Sequence, residues 1–138
     1  MAHGIQMIAV RAVLAPAAAV FLGVAQANAW GAIAYSMTTQ DYGYSFDYGS
    51  RQAAEDRAMR ECEAQSGADD CRANVFFNNG CGAVAWGTSP LGGGRNLYVF
   101  RGQAAGSRVH AENEALQECR TAFEPEIRNC RILVSVCD

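Results

Sequence analysis

Cysteine is the residue type with the clearest chemistry in this 138-residue sequence. The six cysteines include no Cys-x-x-Cys pair, and His110 is the only histidine beyond the first 29 residues. Tetrahedral zinc sites usually present closer ligand pairs, whereas an even number of cysteines is typical of disulfides in exported proteins. The sequence therefore predicts structural disulfides, no metal site and no cofactor. The cysteines are Cys62, Cys71, Cys81, Cys119, Cys130 and Cys137.

Ser107 and His110 are the side chains that most resemble part of a hydrolase triad. A triad requires a serine whose hydroxyl reaches the base. A serine just before a predicted helix is instead typical of an N-cap. We interpret His110 as a surface residue and predict no catalytic residue, so the protein is more simply a non-enzyme.

Acidic residues on the two predicted helices offer a second route to chemistry. Glycosidases use two carboxylates on either side of the bond that they cleave. Glu61 and Glu118 each precede a cysteine, and we expect them to bond with Arg72 and Arg131. A cell-wall or glycan hydrolase remains the enzymatic alternative. The acids considered are Glu55, Asp56, Glu61, Glu63, Glu112, Glu114 and Glu118.

Two loops carry weaker signals. Asp69 and Asp70 supply too few oxygens for calcium, which takes six to eight. Gly92–Gly94 lacks the Gly-Lys-Ser/Thr ending of a phosphate loop. We interpret the glycines as a flexible hairpin connection that could contact a partner, together with the following Arg95.

Four aromatic residues alternate along one predicted strand: Tyr42, Tyr44, Phe46 and Tyr48. A period of two places all four on one face. The preferred interpretation is a core face under the first helix. The other is an open surface for a protein or glycan, since tyrosine is favoured at interfaces. In that case Tyr42, Tyr44 and Tyr48, with Arg95, form the partner surface.

Charge narrows the class of partner. Residues 30–138 contain ten arginines, no lysine and fourteen acids. This balance argues against nucleic-acid binding, which draws on clustered positive charge, and the missing lysine excludes Schiff-base chemistry. Residues 30–80 hold eight acids against four arginines, so a basic partner would be attracted to this half.

The N-terminal 29 residues are predicted to be a signal peptide. Arg11 precedes an apolar run from 12 to 25, and Ala27-Asn28-Ala29 has the small-x-small pattern of a cleavage site. The alternative, an uncleaved anchor, would need about 20 apolar residues. We therefore expect an exported protein, periplasmic or extracellular, that does not remain in the membrane.

An internal repeat organises residues 30–138 into halves 30–80 and 81–138. Gly31-Ala32-Ile33-Ala34-Tyr35 resembles Gly82-Ala83-Val84-Ala85-Trp86, and Glu61-Cys62 recurs as Glu118-Cys119 at an offset of 57. Each half reads as strand, strand, helix, strand. The prediction is a single α+β domain in which two such units share antiparallel sheet, with both helices on one face.

The repeat also predicts how the cysteines pair. Equivalent halves should form equivalent bonds, which gives Cys62–Cys71 and Cys119–Cys130. The remaining cysteines, Cys81 and Cys137, would then close the second half.

These motifs together resemble a bacterial exported family known only as domain of unknown function 4189. The resemblance rests on Trp-Gly-Ala-Ile-Ala-Tyr-Ser at 30–36, the helix ending in Glu-Cys, the Cys-Arg strand start and the Cys-Gly-Ala-Val-Ala repeat. It implies export and a compact cysteine-bearing domain, but no activity and no catalytic residue.

The leading hypothesis from the sequence is an exported binding protein, such as an inhibitor or immunity factor. Its partner would be another exported protein and not nucleic acid or a membrane, and the oligomeric state is left open. A glycan hydrolase and a structural envelope protein are the alternatives.

Overall fold

Each half of the repeat folds into one three-stranded antiparallel sheet covered by one helix. This computed structural model describes residues 28–92, 94–123 and 127–138. In the first unit, β1 (Trp30–Tyr35) lies between β2 (Tyr42–Tyr48) and β3 (Arg72–Asn78), and α1 spans Arg51–Ser66. In the second unit, β4 (Cys81–Gly92) lies between β5 (Arg95–Ala105) and β6 (Arg131–Cys137), and α2 spans Arg108–Arg120. The predicted α+β class with two related units is confirmed.

The two central strands explain how the units meet. In β1, Ala32 and Ala34 face α1, whereas Ile33 and Tyr35 face the other sheet. The same alternation recurs in β4. Small residues let a helix lie close to the sheet, and large residues fill the space between the sheets. The molecule is therefore layered as helix, sheet, sheet, helix.

This layering differs from the expected shared sheet with both helices on one face. Each unit forms its own sheet, and the helices cover the two outer faces. The intersheet core consists of Ile33, Tyr35, Val75, Phe77, Val84, Phe100, Val134 and Val136. The Phe77 ring fits there because Gly31 and Gly82 have no Cβ; a Cβ at either position would collide with the ring.

Two of the three disulfides each hold a helix to its own sheet, and the third joins two strands of the second unit. They join Cys62 to Cys71, Cys119 to Cys130, and Cys81 to Cys137, which is the pairing expected from the repeat. Cys81 and Cys137 are directly opposed on β4 and β6. Trp30 and Asn78 occupy the equivalent pair in the first unit.

Both helices begin at a serine N-cap. The Ser50 hydroxyl accepts a hydrogen bond from the Ala53 N–H, and the Ser107 hydroxyl accepts one from the His110 N–H. In the described part of the chain, no helix is long and apolar enough to span a membrane. The predicted signal peptide, residues 1–29, lies almost entirely outside the described residues and stays a prediction.

Candidate functional site

The strand β2 lies at the edge of the first sheet and carries the alternating aromatic residues. Its small residues face α1: a Cβ at Gly43 would collide with the Ala58 carbonyl, and the Ser45 hydroxyl donates to the Ala54 carbonyl at 2.7 Å. The same hydroxyl accepts from the Ala32 N–H at 3.1 Å. Ser45 therefore joins β1, β2 and α1.

Because strand residues alternate, Tyr42, Tyr44 and Phe46 lie on the opposite face of β2. Tyr42 packs against the intersheet core. Tyr44 and Phe46 remain 39% and 47% exposed, and their rings stack with centroids 6.4 Å apart. The preferred interpretation, a core face under α1, is wrong for these residues.

Tyr48 does not share that face because the strand contains a bulge. Trp30 pairs with Tyr48 but Ala32 pairs with Ser45, so β2 has an extra residue between the two pairs. Asp47 there adopts a φ of 60°. The bulge turns the Tyr48 ring towards the cluster beneath α1, where it is half-buried.

A groove with a volume of about 360 Å³ lies along the edge strand β2, where residues from both faces of the strand meet Arg57 and Glu61 of α1. We call it the β2 groove; its lining residues are Tyr44, Ser45, Phe46, Tyr48, Arg57 and Glu61.

Glu61 organises the polar side of the β2 groove. One carboxylate oxygen pairs with the Arg57 guanidinium, and the other accepts the backbone N–H of Tyr44 at 3.3 Å. The structural role expected for Glu61 is present, but its partner is not Arg72. Arg72 instead donates to the Cys71 carbonyl, and Arg131 stacks over the Trp86 ring at 4.1 Å rather than on Glu118.

Carboxylates also cover backbone donors along the β2 edge. Besides the bond from Tyr44 to Glu61, Asp138 Oδ1 accepts the Asp47 N–H at 3.1 Å. Burial raises the pKa of the Asp138 carboxyl above its usual value, against the opposing effect of the Asp47 N–H. Two backbone donors of this edge are therefore already bonded, which makes β2 a poorer template for an added strand.

The predicted partner surface is only partly assembled. Tyr44 and Tyr48 line the β2 groove, and Tyr42 lies in the core instead. Arg95 begins β5, in the other sheet, and its side chain lies outside the described residues. Phe46, which sequence reasoning left out of the surface, is the most exposed aromatic residue of the groove. The alternation of aromatic residues along β2 predicted which face of the strand Phe46 lies on, but not that its side chain is exposed.

Ser107 and His110 do not form part of a catalytic triad, because their side chains do not bond to each other. The Ser107 hydroxyl bonds to the backbone of His110, whereas the imidazole Nε2 lies 2.7 Å from Glu114 Oε1. Both His110 and Glu114 are exposed on α2. The serine therefore caps the helix and is not activated by the histidine.

In the loop that contains Asp69 and Asp70, the Asp70 carboxylate stabilises the turn that follows β1. Asp70 accepts hydrogen bonds from the Ser36 hydroxyl at 2.6 Å and from the Thr38 hydroxyl and N–H at 2.8 and 3.0 Å. The bond from Ser36 is the largest cause that holds the pKa of Asp70 below its usual value. Across the described ranges, no group of three or more His, Cys, Asp or Glu side chains could hold a metal ion.

Acids of α2 line a second groove of about 310 Å³ beside β5. Glu114 and Glu118 lie there with Gln103 and Gln117. We call it the α2 groove. All four of its lining side chains are polar, whereas three of the six residues that line the β2 groove are aromatic.

Comparison with known proteins places the chain in a family without assigning an activity. No curated protein and no solved structure shows significant similarity to it. The family model described as Domain of unknown function (DUF4189) matches residues 30–137, which is most of the chain. The chain therefore belongs to the DUF4189 family.

Proposed function

We propose that the protein is an exported, non-enzymatic binding protein that recognises another exported protein through the β2 groove. An inhibitor or an immunity factor would act in this way. The observation that carries the proposal is the exposed, stacked pair of Tyr44 and Phe46 on a strand whose other face is fastened to α1.

Exposed aromatic pairs of this kind suit a protein partner. Tyrosine and phenylalanine are enriched at interfaces, where their rings bury large areas and few side-chain torsions must be ordered. Anchoring residues of interfaces are typically aromatic residues and arginine, packed together. Tyr44, Phe46 and Arg57 supply this combination in the β2 groove.

Rigidity of the support favours affinity. The Cys62–Cys71 disulfide and the two hydrogen bonds of Ser45 fix α1 against the sheet that carries the aromatic pair. A surface that is already ordered loses less conformational entropy on binding. The acidic balance of residues 30–80 adds long-range attraction for a basic partner.

The disulfides support an extracytoplasmic location. Three disulfides in a small domain are consistent with an extracytoplasmic protein. Within that class we propose the periplasm or the cell exterior, reached through the predicted signal peptide.

A capture experiment with matched variants tests the proposal. The oxidised, exported protein is used to capture partners from envelope and secreted fractions, and bound proteins are quantified by mass spectrometry. We expect one stoichiometric partner to be lost with Tyr44→Ser or Phe46→Ser. Tyr98→Ser is the control, because Tyr98 is 40% exposed but lies on β5 of the other sheet. Equal loss with all three variants, or no loss with either β2 variant, contradicts the proposal.

Hydrolysis of a cell-wall glycan is the second candidate, favoured by the two carboxylates of the α2 groove. Glu114 and Glu118 lie one turn apart on the same helix, whereas glycosidase carboxylates flank the bond from two sides. Peptidoglycan turnover that is abolished by Glu114→Gln would establish this function. A structural envelope protein predicts neither capture nor turnover.

A further inference from the structure

The two grooves occupy equivalent places in the two units, so each can be compared with the other. The repeat offset of 57 relates Glu118 to Glu61 and Glu114 to Arg57. Strand register relates Gln103, which pairs with Ala83, to Ser45, which pairs with Ala32. Each groove thus contains a carboxylate at the equivalent position, Glu61 in the β2 groove and Glu118 in the α2 groove.

The grooves differ in what lies beside that carboxylate. In the first unit, Arg57 provides a guanidinium that pairs with Glu61 one turn further along α1. In the second unit the same place holds Glu114, whose carboxylate bonds to His110. Among the residues that the structure describes, no side chain donates to the Glu118 carboxylate. The charge at one position is reversed, and the groove loses its internal cation.

We propose that the α2 groove binds the guanidinium of an arginine side chain supplied by a protein partner. In the first unit the equivalent carboxylate, Glu61, pairs with the guanidinium of Arg57 at the corresponding place. Glu118 is the main acceptor, Glu114 adds a second negative charge, and the side-chain carbonyls of Gln103 and Gln117 are further acceptors on the groove wall.

The chemistry favours arginine over lysine. A guanidinium presents five N–H donors in a planar fork and can bond to a carboxylate and to neighbouring amide oxygens together. An ammonium is a compact, strongly hydrated charge that engages fewer of these acceptors at once. The site is separate from the β2 groove and does not depend on the function proposed for it.

A titration with N-acetylarginine amide tests the site directly. Backbone and side-chain amide signals of the ¹⁵N-labelled oxidised protein are followed by NMR. We expect saturable shifts at Gln103, Gln117 and Glu118, with a Kd of about 1 mM or weaker because exposed ion pairs contribute little. The uncharged isostere N-acetylcitrulline amide should produce no saturable shift. Shifts of equal size with both compounds would overturn the proposal.

Two variants separate this site from general attraction to an acidic protein. Glu118→Gln should weaken binding by about two- to fivefold, the range expected for an exposed charge pair. Glu114→Arg should abolish it, because the introduced guanidinium would pair with Glu118 as Arg57 pairs with Glu61.

Glu112→Arg is the matched control, with the same change of charge on α2 at a residue that does not line the groove. It should retain binding. A Glu114→Arg protein that binds as well as the Glu112→Arg protein, or an unchanged Kd in Glu118→Gln, would refute the assignment. The NMR spectrum of each variant also reports whether it is folded.

Discussion

Replacing Ser45 by alanine should destabilise the protein more than any other serine-to-alanine change in its strands. Ser45 is buried, and its hydroxyl bonds to the Ala32 N–H at 3.1 Å and to the Ala54 carbonyl at 2.7 Å. Each such bond contributes about 0.5–1.5 kcal/mol, so the loss of both gives about 1–3 kcal/mol. The lower end applies if the Ala54 carbonyl is satisfied by its bond within α1 alone.

The measurement is the free energy of unfolding in urea at neutral pH with the disulfides intact. Ser135→Ala on β6 is the control: its hydroxyl accepts only an exposed bond from Arg108, and the expected change is within about 0.5 kcal/mol. If Ser45→Ala and Ser135→Ala have equal free energies of unfolding, the claim that Ser45 fastens the aromatic strand to α1 is wrong.

Three further predictions concern residues that stabilise the first unit. Gly43→Ala should lower the free energy of unfolding by about 1–3 kcal/mol, because the added Cβ would push α1 away from the strand. An unchanged midpoint of urea unfolding would contradict the close packing of α1 on Gly43. Removing the disulfide with Cys62→Ala and Cys71→Ala together should cost about 2–3 kcal/mol, from the entropy of a short loop, again measured in urea. Hydrogen bonds to the ionised Asp70 carboxylate, first among them the one from the Ser36 hydroxyl, lower its pKa in the folded protein. These bonds therefore stabilise the folded protein fully at pH values above the usual pKa of 3.8, and the stabilisation is lost as the pH falls through the lower pKa of the folded state. The stability advantage over Asp70→Asn should therefore shrink on acidification, and a gap that stays constant from pH 6 to pH 2 would count against this role.

Sequence reasoning succeeded where the repeat constrained the answer. Equivalent positions of Cys62 and Cys119 predicted equivalent disulfides, and the place of Ser107 before the second helix predicted its role as N-cap. The repeat could not say whether the edge strands of the two units pair with each other. The deciding signal was the alternation of small and large residues in β1, where alanines face a helix while Ile33 and Tyr35 face a second sheet.

The candidate site was only half predictable for a similar reason. Alternation placed Tyr44 and Phe46 on one face, but strand periodicity does not tell which face a helix covers. Gly43 and Ser45 were the residues small enough to lie under α1. The bulge at Asp47, which moves Tyr48 to the helix side, depends on tertiary pairing with Trp30 and has no marker in the local sequence.

Footprinting of aromatic side chains tests the central claim most directly. The captured complex and the free oxidised protein are exposed to hydroxyl radicals, and modification of each aromatic residue is measured by mass spectrometry. Tyr44, Phe46 and Tyr98 have similar exposure in the free protein, at 39%, 47% and 40%. The β2 groove account predicts that Tyr44 and Phe46 are protected in the complex while Tyr98 is modified as before. Protection of Tyr98 with unchanged modification of Tyr44 and Phe46 would contradict it.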